Sequence, residues 1–223
     1  MARPSKPLIS RRGAAEAALA VIDEYGLGGF SLAHVATRLG VKPPSLYHHF
    51  RDKNELLAEV ALLLLDPTPI VLEETDWAER LIELCVKTRR SLLLHPQATA
   101  LLLHFFPRHL LLEAYDRAVR EDPFPAAMHL AVIEGTEKIT FGSALFEASA
   151  RADGVPAMPA VDAKRFPALQ GSISANPFDE EQLFVETLRI FLEGARRRAA
   201  AKQWGMPLVT DTVAPIAAWK HRA

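Results

Sequence analysis

A cluster of polar and aromatic side chains follows a turn at Gly40, in the stretch VKPPSLYHHF that ends at Phe50. Lysine, serine, tyrosine and histidine side chains can donate hydrogen bonds to phosphate oxygens or to the edges of nucleic-acid bases. His48 and His49 could instead bind a metal, but they lack the cysteine or carboxylate partners at suitable spacing that such a site needs. We therefore expect contact with nucleic acid. A small helical bundle that merely buries these side chains is the alternative.

The segments before this cluster predict two short helices that would hold it in place. Ser10 can cap a first helix that ends at Gly26, and Ser31 can cap a second that runs through Leu39. Gly40 can end the second helix, because glycine adopts positive φ without steric cost. The turn is short, so the next helix must begin within about three residues of it.

Two further helices are predicted on the other side of the turn. Pro43 and Pro44 fit the first turn of a third helix, where backbone N–H groups have no intrahelical partner. On that helix Leu46 and Phe50 are one turn apart and can pack against the first two helices. A capping-box-like start predicts a fourth helix over residues 53–65. Together these elements predict a helix–turn–helix whose recognition helix presents its polar tip to a major groove.

The N-terminus is basic although the whole chain has a formal net charge of −1. Basic residues slightly outnumber acidic ones over residues 1–60, and acidic residues predominate in the rest of the chain. A basic arm ahead of the first helix suits an anionic partner. The arm residues that precede the first acidic residue are Arg3, Lys6, Arg11 and Arg12.

The remainder of the chain shows helical periodicity and no sustained strand-like alternation, so the fold class is predicted to be all-α. Helices are expected near residues 77–94, 97–106, 109–121, 125–150 and 179–202. Residues 151–178 contain four prolines and no sustained period, which predicts a long, mobile loop. The expected division is a helix–turn–helix DNA-binding domain over residues 1–65 and a ligand-binding and dimerisation domain over residues 66–223.

Composition narrows the class of protein. Hydrophobic residues make up 49% and charged residues 24% of the chain, which is typical of a globular protein. The longest apolar runs are too short to span a membrane, and the N-terminus lacks the apolar segment of a signal peptide. The single cysteine, Cys85, cannot form an intrachain disulfide and is interpreted as a small buried hydrophobe. These features predict a cytoplasmic protein.

The stretch GGFSLAHVATRLGVKPPSLYHHFRDKNELLAEV, residues 28–60, resembles the DNA-binding domain of the TetR family of transcriptional regulators. The matching features are the Gly40–Val41 turn, the SLYHHF core and the DKNELL start of the next helix. Two later segments, FPALQ and DEEQLFVETLRIFLEGARRR, resemble the tetracycline-repressor branch of the family. The resemblance implies a homodimeric, ligand-responsive repressor of a palindromic operator in double-stranded DNA. The residues implied for operator contact are Ser31, Lys42, Pro44, Ser45, Tyr47, His48, His49 and Lys53.

Two apolar stripes in the larger domain are interpreted as an interface between subunits. The first has apolar or small residues alternately four and three positions apart, with glycine at two of them, which would let a partner helix approach closely. The resemblance implies that two helices from each subunit form a four-helix interface. Burial within one chain is the alternative reading. The predicted interface residues are Met128, Val132, Gly135, Ile139, Gly142, Phe146, Phe184, Leu188 and Phe191.

A small-molecule effector is expected to bind near the stretch LLLHFFPRHLLL, where aromatic side chains precede Pro107. Apolar walls with a few polar groups are typical of ligand pockets, and an ordinary core bend is the alternative. The effector is expected to be largely apolar, and neither a metal nor another cofactor is expected. The predicted pocket residues are Leu103, His104, Phe105, Phe106, Ile133, Glu137 and Phe141.

Enzymatic activity is not expected. The sequence lacks the GxGxxG, GxxxxGK, GxSxG and HExxH motifs of common nucleotide-binding and hydrolytic enzymes. Glu134, Glu137 and Glu147 are interpreted as helix-surface or pocket residues rather than a catalytic carboxylate pair. The preferred interpretation is a DNA-binding regulator. A DNA-binding architectural protein without an effector would not need so large a second domain.

Overall fold

The computed structural model describes residues 9–65, 76–106, 108–154 and 158–205 as helices joined by turns. No strand occurs among these residues, which confirms the predicted all-α fold class. No helix in this part of the chain is long and apolar enough to cross a membrane. Three residues named in the predictions, Arg3, Lys6 and Pro107, lie outside the described ranges.

Ten α-helices and two short 3-10 segments occur within the described residues. The N-terminal elements are α1 (Arg11–Tyr25), α2 (Leu32–Arg38), the 3-10 segment Pro43–His48 and α3 (Lys53–Leu65). The later elements are α4 (Trp77–Leu94), α5 (Pro96–Thr99), α6 (Leu101–His104), the 3-10 segment Arg108–Leu110, α7 (Leu112–Glu121), α8 (Ala126–Asp153), α9 (Pro167–Ala175) and α10 (Glu180–Ala200). The bounds of α3 are those predicted from the sequence.

The predicted caps begin the first two helices. The Ser10 hydroxyl accepts a hydrogen bond from the backbone N–H of Gly13 at 3.0 Å, and the Ser31 hydroxyl accepts one from His34 at 3.2 Å. Each bond satisfies an N–H group that the start of a helix would otherwise leave without a partner. The apolar face of α1 packs inward, where Ile22 is fully buried.

A Schellman motif ends α2 and directs the following chain. The backbone N–H of Gly40 donates to the Thr37 carbonyl at 3.0 Å, and the N–H of Val41 donates to the Ala36 carbonyl at 2.9 Å. This pair of bonds defines the motif. Gly40 has a φ of +67°, a left-handed conformation in which a side chain would be strained. The predicted turn is confirmed.

The third element is the 3-10 segment Pro43–His48 rather than the predicted α-helix. The N–H of Ser45 donates to the Lys42 carbonyl at 2.9 Å, the i to i+3 bond of the tighter helix. Two consecutive prolines remove N–H donors, which favours a short segment over a long regular helix. The expected packing is nevertheless observed, since Leu46 and Phe50 are only 1% and 3% exposed.

The apolar core of α1–α3 continues into the rest of the chain. Ile22, Leu46 and Val60 belong to the same buried cluster as Leu92 of α4 and Leu101 of α6. A second buried cluster joins α4, α8 and α10. Because α4 contributes to both clusters, a displacement of α4 or α6 would reach α1 and α3 through direct packing.

Two long helices form the framework of the larger region. α8 has 28 residues and α10 has 21, and both were expected from the sequence. The predicted irregular loop over residues 151–178 is wrong for part of its length, because α9 occupies residues 167–175. Pro167 lies in the first turn of α9, where a missing N–H costs no hydrogen bond. Proline therefore starts a helix in this segment instead of excluding one.

Candidate DNA-binding and effector sites

The residues predicted to contact DNA lie at the start of α2, along the first 3-10 segment and at the start of α3. Those exposed to solvent are Lys42, Pro44, Tyr47, His48 and Lys53. Those half-buried are Ser31, Ser45 and His49. The 3-10 segment thus carries polar side chains on its outer side, while apolar packing anchors its inner side.

Lys53 already has a contact within the chain. Its Nζ donates to the carbonyl of Phe30 at 3.3 Å and lies 5.0 Å from the centre of the Phe30 ring. A cation over an aromatic face is attracted by the ring quadrupole. The contact holds the start of α3 beside the loop before α2, and it keeps a positive charge on the same surface as the 3-10 segment.

Arg11 supports this surface from behind, a role that the sequence did not reveal. Its guanidinium pairs with Glu59 at 2.6 Å and Glu55 at 2.9 Å, and donates to the carbonyl of His49. The guanidinium also lies 4.6 Å from the centre of the Phe50 ring. The hydrogen bond with Glu59 is the main cause of a raised Arg11 pKa. Arg11 therefore fixes the end of the 3-10 segment instead of extending as part of a free basic arm.

Arg12, the other described residue of the predicted arm, is also paired. Its Nε lies 2.9 Å from the carboxylate of Glu16, one turn further along α1. Both side chains are largely exposed, so the pair is screened by solvent and weak. Unlike Arg11, Arg12 can therefore exchange its partner for another anion.

A cavity of about 200 Å³ lies between α4, α7 and α8. Its walls are mainly apolar and include Trp77, Leu81, Leu84, Leu111, Ile133 and Phe141. None of the described residues of α7 is buried, yet Ala114, Tyr115 and Ala118 line the cavity, so α7 covers one side of it. An apolar space with a few polar groups is suited to a small organic molecule.

The predicted pocket residues divide into two groups. Phe106, Ile133, Glu137 and Phe141 line the cavity, and the rings of Phe106 and Phe141 form an edge-to-face pair with centres 5.0 Å apart. The structure does not bring the other three to the cavity. Leu103 and His104 are exposed, and Phe105 packs against the core shared with α1–α3. Leu103 and His104 are the last residues of the short α6 and are exposed to solvent instead of lining the cavity.

Glu137 is the carboxylate at the centre of a polar group beside the cavity. The hydroxyl of Tyr115 donates to one of its oxygens, and Arg108 donates to the other at 2.8 Å. Burial and, next, the hydrogen bond with Glu137 raise the pKa of Tyr115. The sequence did not identify Tyr115 or Arg108, because neither lies at a recognisable spacing from Glu137.

Cys85 lines the same cavity and is buried, as predicted. Burial raises the pKa of its thiol to about 11, and a hydrogen bond with Thr140 opposes that effect. The thiol is therefore protonated at neutral pH and is a poor nucleophile. Among the described residues no group of three or more His, Cys, Asp or Glu could hold a metal ion.

Several predicted interface residues are buried within a single chain. Met128, Val132, Phe184 and Leu188 belong to the cluster that joins α4, α8 and α10, so they offer no surface to a partner. The sequence periodicity identified an apolar face correctly, but α8 and α10 use that face to pack against α4 of the same chain. Phe146 of the first stripe is exposed, and an interface between subunits at the remaining positions stays a prediction.

Gly135 has an intrachain role as well. A Cβ at Gly135 would lie 2.2 Å from the ring of Phe191, so glycine is what allows α8 and α10 to approach each other. Gly142 has no neighbour within 4 Å of such an atom, and Ile139 is half-buried. Of the nine predicted interface residues, Phe146 is the most accessible at 79%.

Other apolar side chains on the same two helices do face solvent. They are Leu130 on α8 and Leu183 and Ile190 on α10, with exposed fractions of 73%, 48% and 66%. Phe146, Leu183 and Ile190 are named the exposed α8/α10 face, whereas Leu130 lies about 160° from Phe146 around α8 and is not part of it. Large exposed apolar side chains on neighbouring helices are typical of a protein–protein interface.

Residues 15–60 match the family described as bacterial regulatory proteins, tetR family. The sequence is also 28% identical to the tetracycline repressor protein class A from transposon 1721 of Escherichia coli, over 82% of this chain and 88% of that one. These matches show that the N-terminal region of the chain is similar to TetR family regulators. The matched residues contain most of α1, all of α2 and of the 3-10 segment, and most of α3, the elements that present the polar side chains described above.

Solved structures of TetR family proteins share the fold. ActR from Streptomyces coelicolor, without ligand, matches with a TM-score of 0.69 and 22% identity, over 89% of this chain and 100% of that one. ActR in complex with actinorhodin matches with a TM-score of 0.68 and 22% identity, over 87% and 98%. The likeness in fold thus extends beyond the helix–turn–helix to the larger helical region of this chain.

Proposed function

We propose that this protein is a TetR family transcriptional repressor that binds a palindromic operator in double-stranded DNA as a homodimer. A small, largely apolar effector binds the cavity and releases the operator. The observation that carries this proposal is the continuous apolar core that connects the exposed 3-10 segment with α4 and α6. The proposal includes a cytoplasmic location, no catalytic activity, and a division into a DNA-binding domain over 1–65 and a ligand-binding and dimerisation domain over 66–223.

The 3-10 segment is proposed to enter the major groove of the operator. Ser45 and His48 are placed to reach base edges, and Lys42 and Lys53 to contact phosphates, with Tyr47 beside them. The Schellman turn and the Arg11 contacts hold the segment rigid, so little conformational entropy is lost on binding. Two subunits would place their segments about 34–36 Å apart, which requires a palindromic site.

DNA binding can be tested on an operator selected from random DNA by the full-length protein, with fluorescence anisotropy as the readout. His48→Ala should change the order in which operator variants bind. Lys53→Ala should weaken binding to all sequences, because one phosphate contact is lost. The slope of the logarithm of the binding constant against the logarithm of the salt concentration should also become shallower by about one. Lys138→Ala, which removes an equal charge from α8, is the control. If His48→Ala loses the same affinity for the operator as for random DNA, His48 does not contact a base.

Dimerisation is proposed to use the exposed α8/α10 face. A glutamate introduced at Phe146 or Ile190 would be forced into a dry interface, so these variants should be monomers that keep their helical content. Leu112→Glu is the control, because Leu112 is similarly exposed but lies on α7. Analytical ultracentrifugation measures the outcome, and a monomeric wild-type protein at micromolar concentration would contradict the proposed homodimer.

The response to effector is proposed to pass through Phe106. This side chain lines the cavity, and it follows α6, whose Leu101 is buried against α1–α3. Just before α5, His95 Nδ1 lies 2.7 Å from the Asp23 carboxylate of α1, a second direct contact between the regions. A hundredfold weakening of operator binding needs a differential effector affinity of about 2.7 kcal/mol, which burial of one aromatic compound can provide.

A thermal-shift screen of small molecules, followed by release from operator DNA, tests this response. Phe106→Ala should keep operator affinity within about threefold of wild type while losing release by the effector. His104→Ala is the matched control, because His104 is a neighbour in sequence that does not line the cavity. If the effector releases the Phe106→Ala protein from operator DNA at the same concentration as it releases wild type, the cavity is not the effector site.

A further inference from the structure

The polar groups that face the cavity show what chemistry an occupant needs. Among the described lining residues, the side chains that contain oxygen are Thr88, Tyr115, Asp122, Thr136, Glu137 and Thr140. A hydroxyl can donate one hydrogen bond and accept others, whereas an ionised carboxylate can only accept. If the hydroxyl protons already donate hydrogen bonds within the protein, the lining can only accept, and a ligand must supply the donor.

The three threonine hydroxyls donate to their own helices. Thr88 donates to the Leu84 carbonyl at 2.9 Å, and Thr136 donates to the Val132 carbonyl at 2.9 Å. Thr140 donates to the carbonyl of Thr136 at 2.7 Å. Each hydroxyl proton is thus occupied, and each oxygen keeps only its capacity to accept.

The tyrosine and the two carboxylates add further acceptors. Tyr115 donates its proton to Glu137, whose other oxygen accepts from Arg108 at 2.8 Å. A carboxylate has about four acceptor positions, so Glu137 can accept another hydrogen bond. The Asp122 carboxylate, only 2% exposed, accepts from the backbone N–H of Phe124 at 2.6 Å.

Donors are scarce on the same walls. None of the described lining residues is lysine, arginine, histidine, asparagine or glutamine. The remaining candidates are the indole N–H of Trp77 and the thiol of Cys85, and a thiol is a weak donor. An anionic ligand would lose its hydration, meet two carboxylates and find no lining cation, which is strongly unfavourable.

We propose that the effector is an aromatic compound that carries a hydrogen-bond donor, a phenolic hydroxyl or an amine, and that Glu137 accepts this bond. A cavity of about 150 Å³ holds benzene, so the present cavity of about 200 Å³ suits a bicyclic aromatic body. The donor would occupy a free acceptor position of Glu137 while the rings lie against Phe106 and Phe141. This inference rests on the proposed function in one respect, that the cavity is the effector site.

The test uses four probes with a common naphthalene body and the full-length protein without DNA. β-Naphthol and naphthylmethylamine carry donors, the methyl ether of β-naphthol carries only an acceptor, and naphthoate is an anion. Calorimetry should show that the wild-type protein binds β-naphthol or the amine at least about tenfold more tightly than the ether or naphthoate, since hydrogen bonds to charged groups are strong. Tighter binding of β-naphthol would indicate a neutral effector, and tighter binding of the amine would indicate a cationic one.

Three variants assign the preference to Glu137. Glu137→Gln exchanges one acceptor for a donor, so the preference for β-naphthol over its ether should fall below about threefold. Glu134→Gln is the matched control: Glu134 also lies near Arg108, at 3.7 Å, but does not line the cavity, so it should keep the preference. Tyr115→Phe frees an acceptor position on Glu137, so this variant should keep or increase the preference for β-naphthol over its ether.

Three results would overturn the inference: ether or naphthoate binding as tight as that of the tighter donor probe, an unchanged preference for that donor probe in Glu137→Gln, or no binding by any of the probes. These results concern ligand chemistry and are obtained without DNA. A probe that binds the cavity with the expected preference but never releases the operator would instead contradict the proposed function.

Discussion

Two networks of charged side chains join helices that are distant in sequence, and they differ in their exposure to water. Arg11 joins α1 to α3 through Glu55 and Glu59, and its side chain is 42% exposed. Arg89 joins α4 to α8 through Glu147, and these two side chains are only 4% and 9% exposed. The first network lies at the edge of an apolar core, whereas the second lies inside the protein.

The difference reflects what each region encloses. The helices α1–α3 bury side chains such as Ile22, Leu46 and Val60 in a continuous apolar core, so charges are needed only at its edge. The larger region encloses a cavity and places buried charges between α4 and α8. The N-terminal region is thus held by many small contacts. The larger region has its own apolar cluster and contains in addition a buried charged pair, so removal of one charge there should be costly.

The largest expected effect comes from Glu147→Ala, which leaves Arg89 buried without its carboxylate partner. We expect a loss of about 3–5 kcal/mol in the free energy of unfolding, because an uncompensated buried charge is costly. Glu59→Ala, in the exposed network, should lose at most about 1 kcal/mol. Urea denaturation of the two variants measures both values. Equal losses would remove the distinction between the networks.

A double variant sharpens the same comparison. Arg89→Met combined with Glu147→Leu replaces the buried pair with apolar side chains, so most of the stability lost in Glu147→Ala should return. If the double variant is as unstable as Glu147→Ala, the loss reflects packing around α4 and α8 rather than an unpaired charge.

The next effect concerns the approach of α8 to α10. Gly135→Ala places a methyl group against the ring of Phe191, and the overpacking cost of about 1–3 kcal/mol should exceed the roughly 0.5–1 kcal/mol that alanine gains over glycine in a helix. Gly142→Ala, two turns later on α8, has open space and should gain about 0.5–1 kcal/mol from the lower helix propensity of glycine. Thermal denaturation compares the two. Similar effects at both positions would contradict the close contact.

A smaller effect is expected at the turn of the N-terminal region. Gly40→Ala forces a side chain into the left-handed conformation and should cost about 1–2 kcal/mol. The control is Gly28→Ala, since Gly28 has no positive φ and no neighbour within 4 Å. That change should be neutral or slightly stabilising. A Gly40→Ala protein as stable as Gly28→Ala would show that the turn tolerates another conformation.

The smallest effect tests the exposed network by pH. The N–H of Arg51 and the guanidinium of Arg11 hold the pKa of Glu55 down to about 2, from a usual value of 4.5. The stability from this carboxylate is therefore complete above pH 4.5 and is lost as the pH falls towards 2. As the pH falls from 4.5 to 2, the Tm of Glu55→Gln should therefore decrease less than the Tm of wild type. A Tm curve of Glu55→Gln parallel to that of wild type over this range would contradict this role of Glu55.

The sequence by itself determined the helix–turn–helix, because its signals are local. Ser10, Ser31 and Gly40 each act on backbone groups within a few residues, so their types and spacing predicted the caps and the turn. The bounds of α3 were predicted for the same reason. The 3-10 geometry of the recognition segment was missed, because helical periodicity over so few residues does not distinguish the two helix types.

The tertiary structure decided the cavity and the surfaces. Phe106 and Glu137 were predicted to line the cavity, but Tyr115 was not, since its distance from Glu137 depends on how α7 crosses α8. Periodicity likewise identified the apolar faces of α8 and α10, yet it could not say that Leu188 packs within the chain while Phe146 faces solvent. A helical period reports which side chains share a face. What covers that face depends on helices distant in the sequence, and only packing in three dimensions decides it.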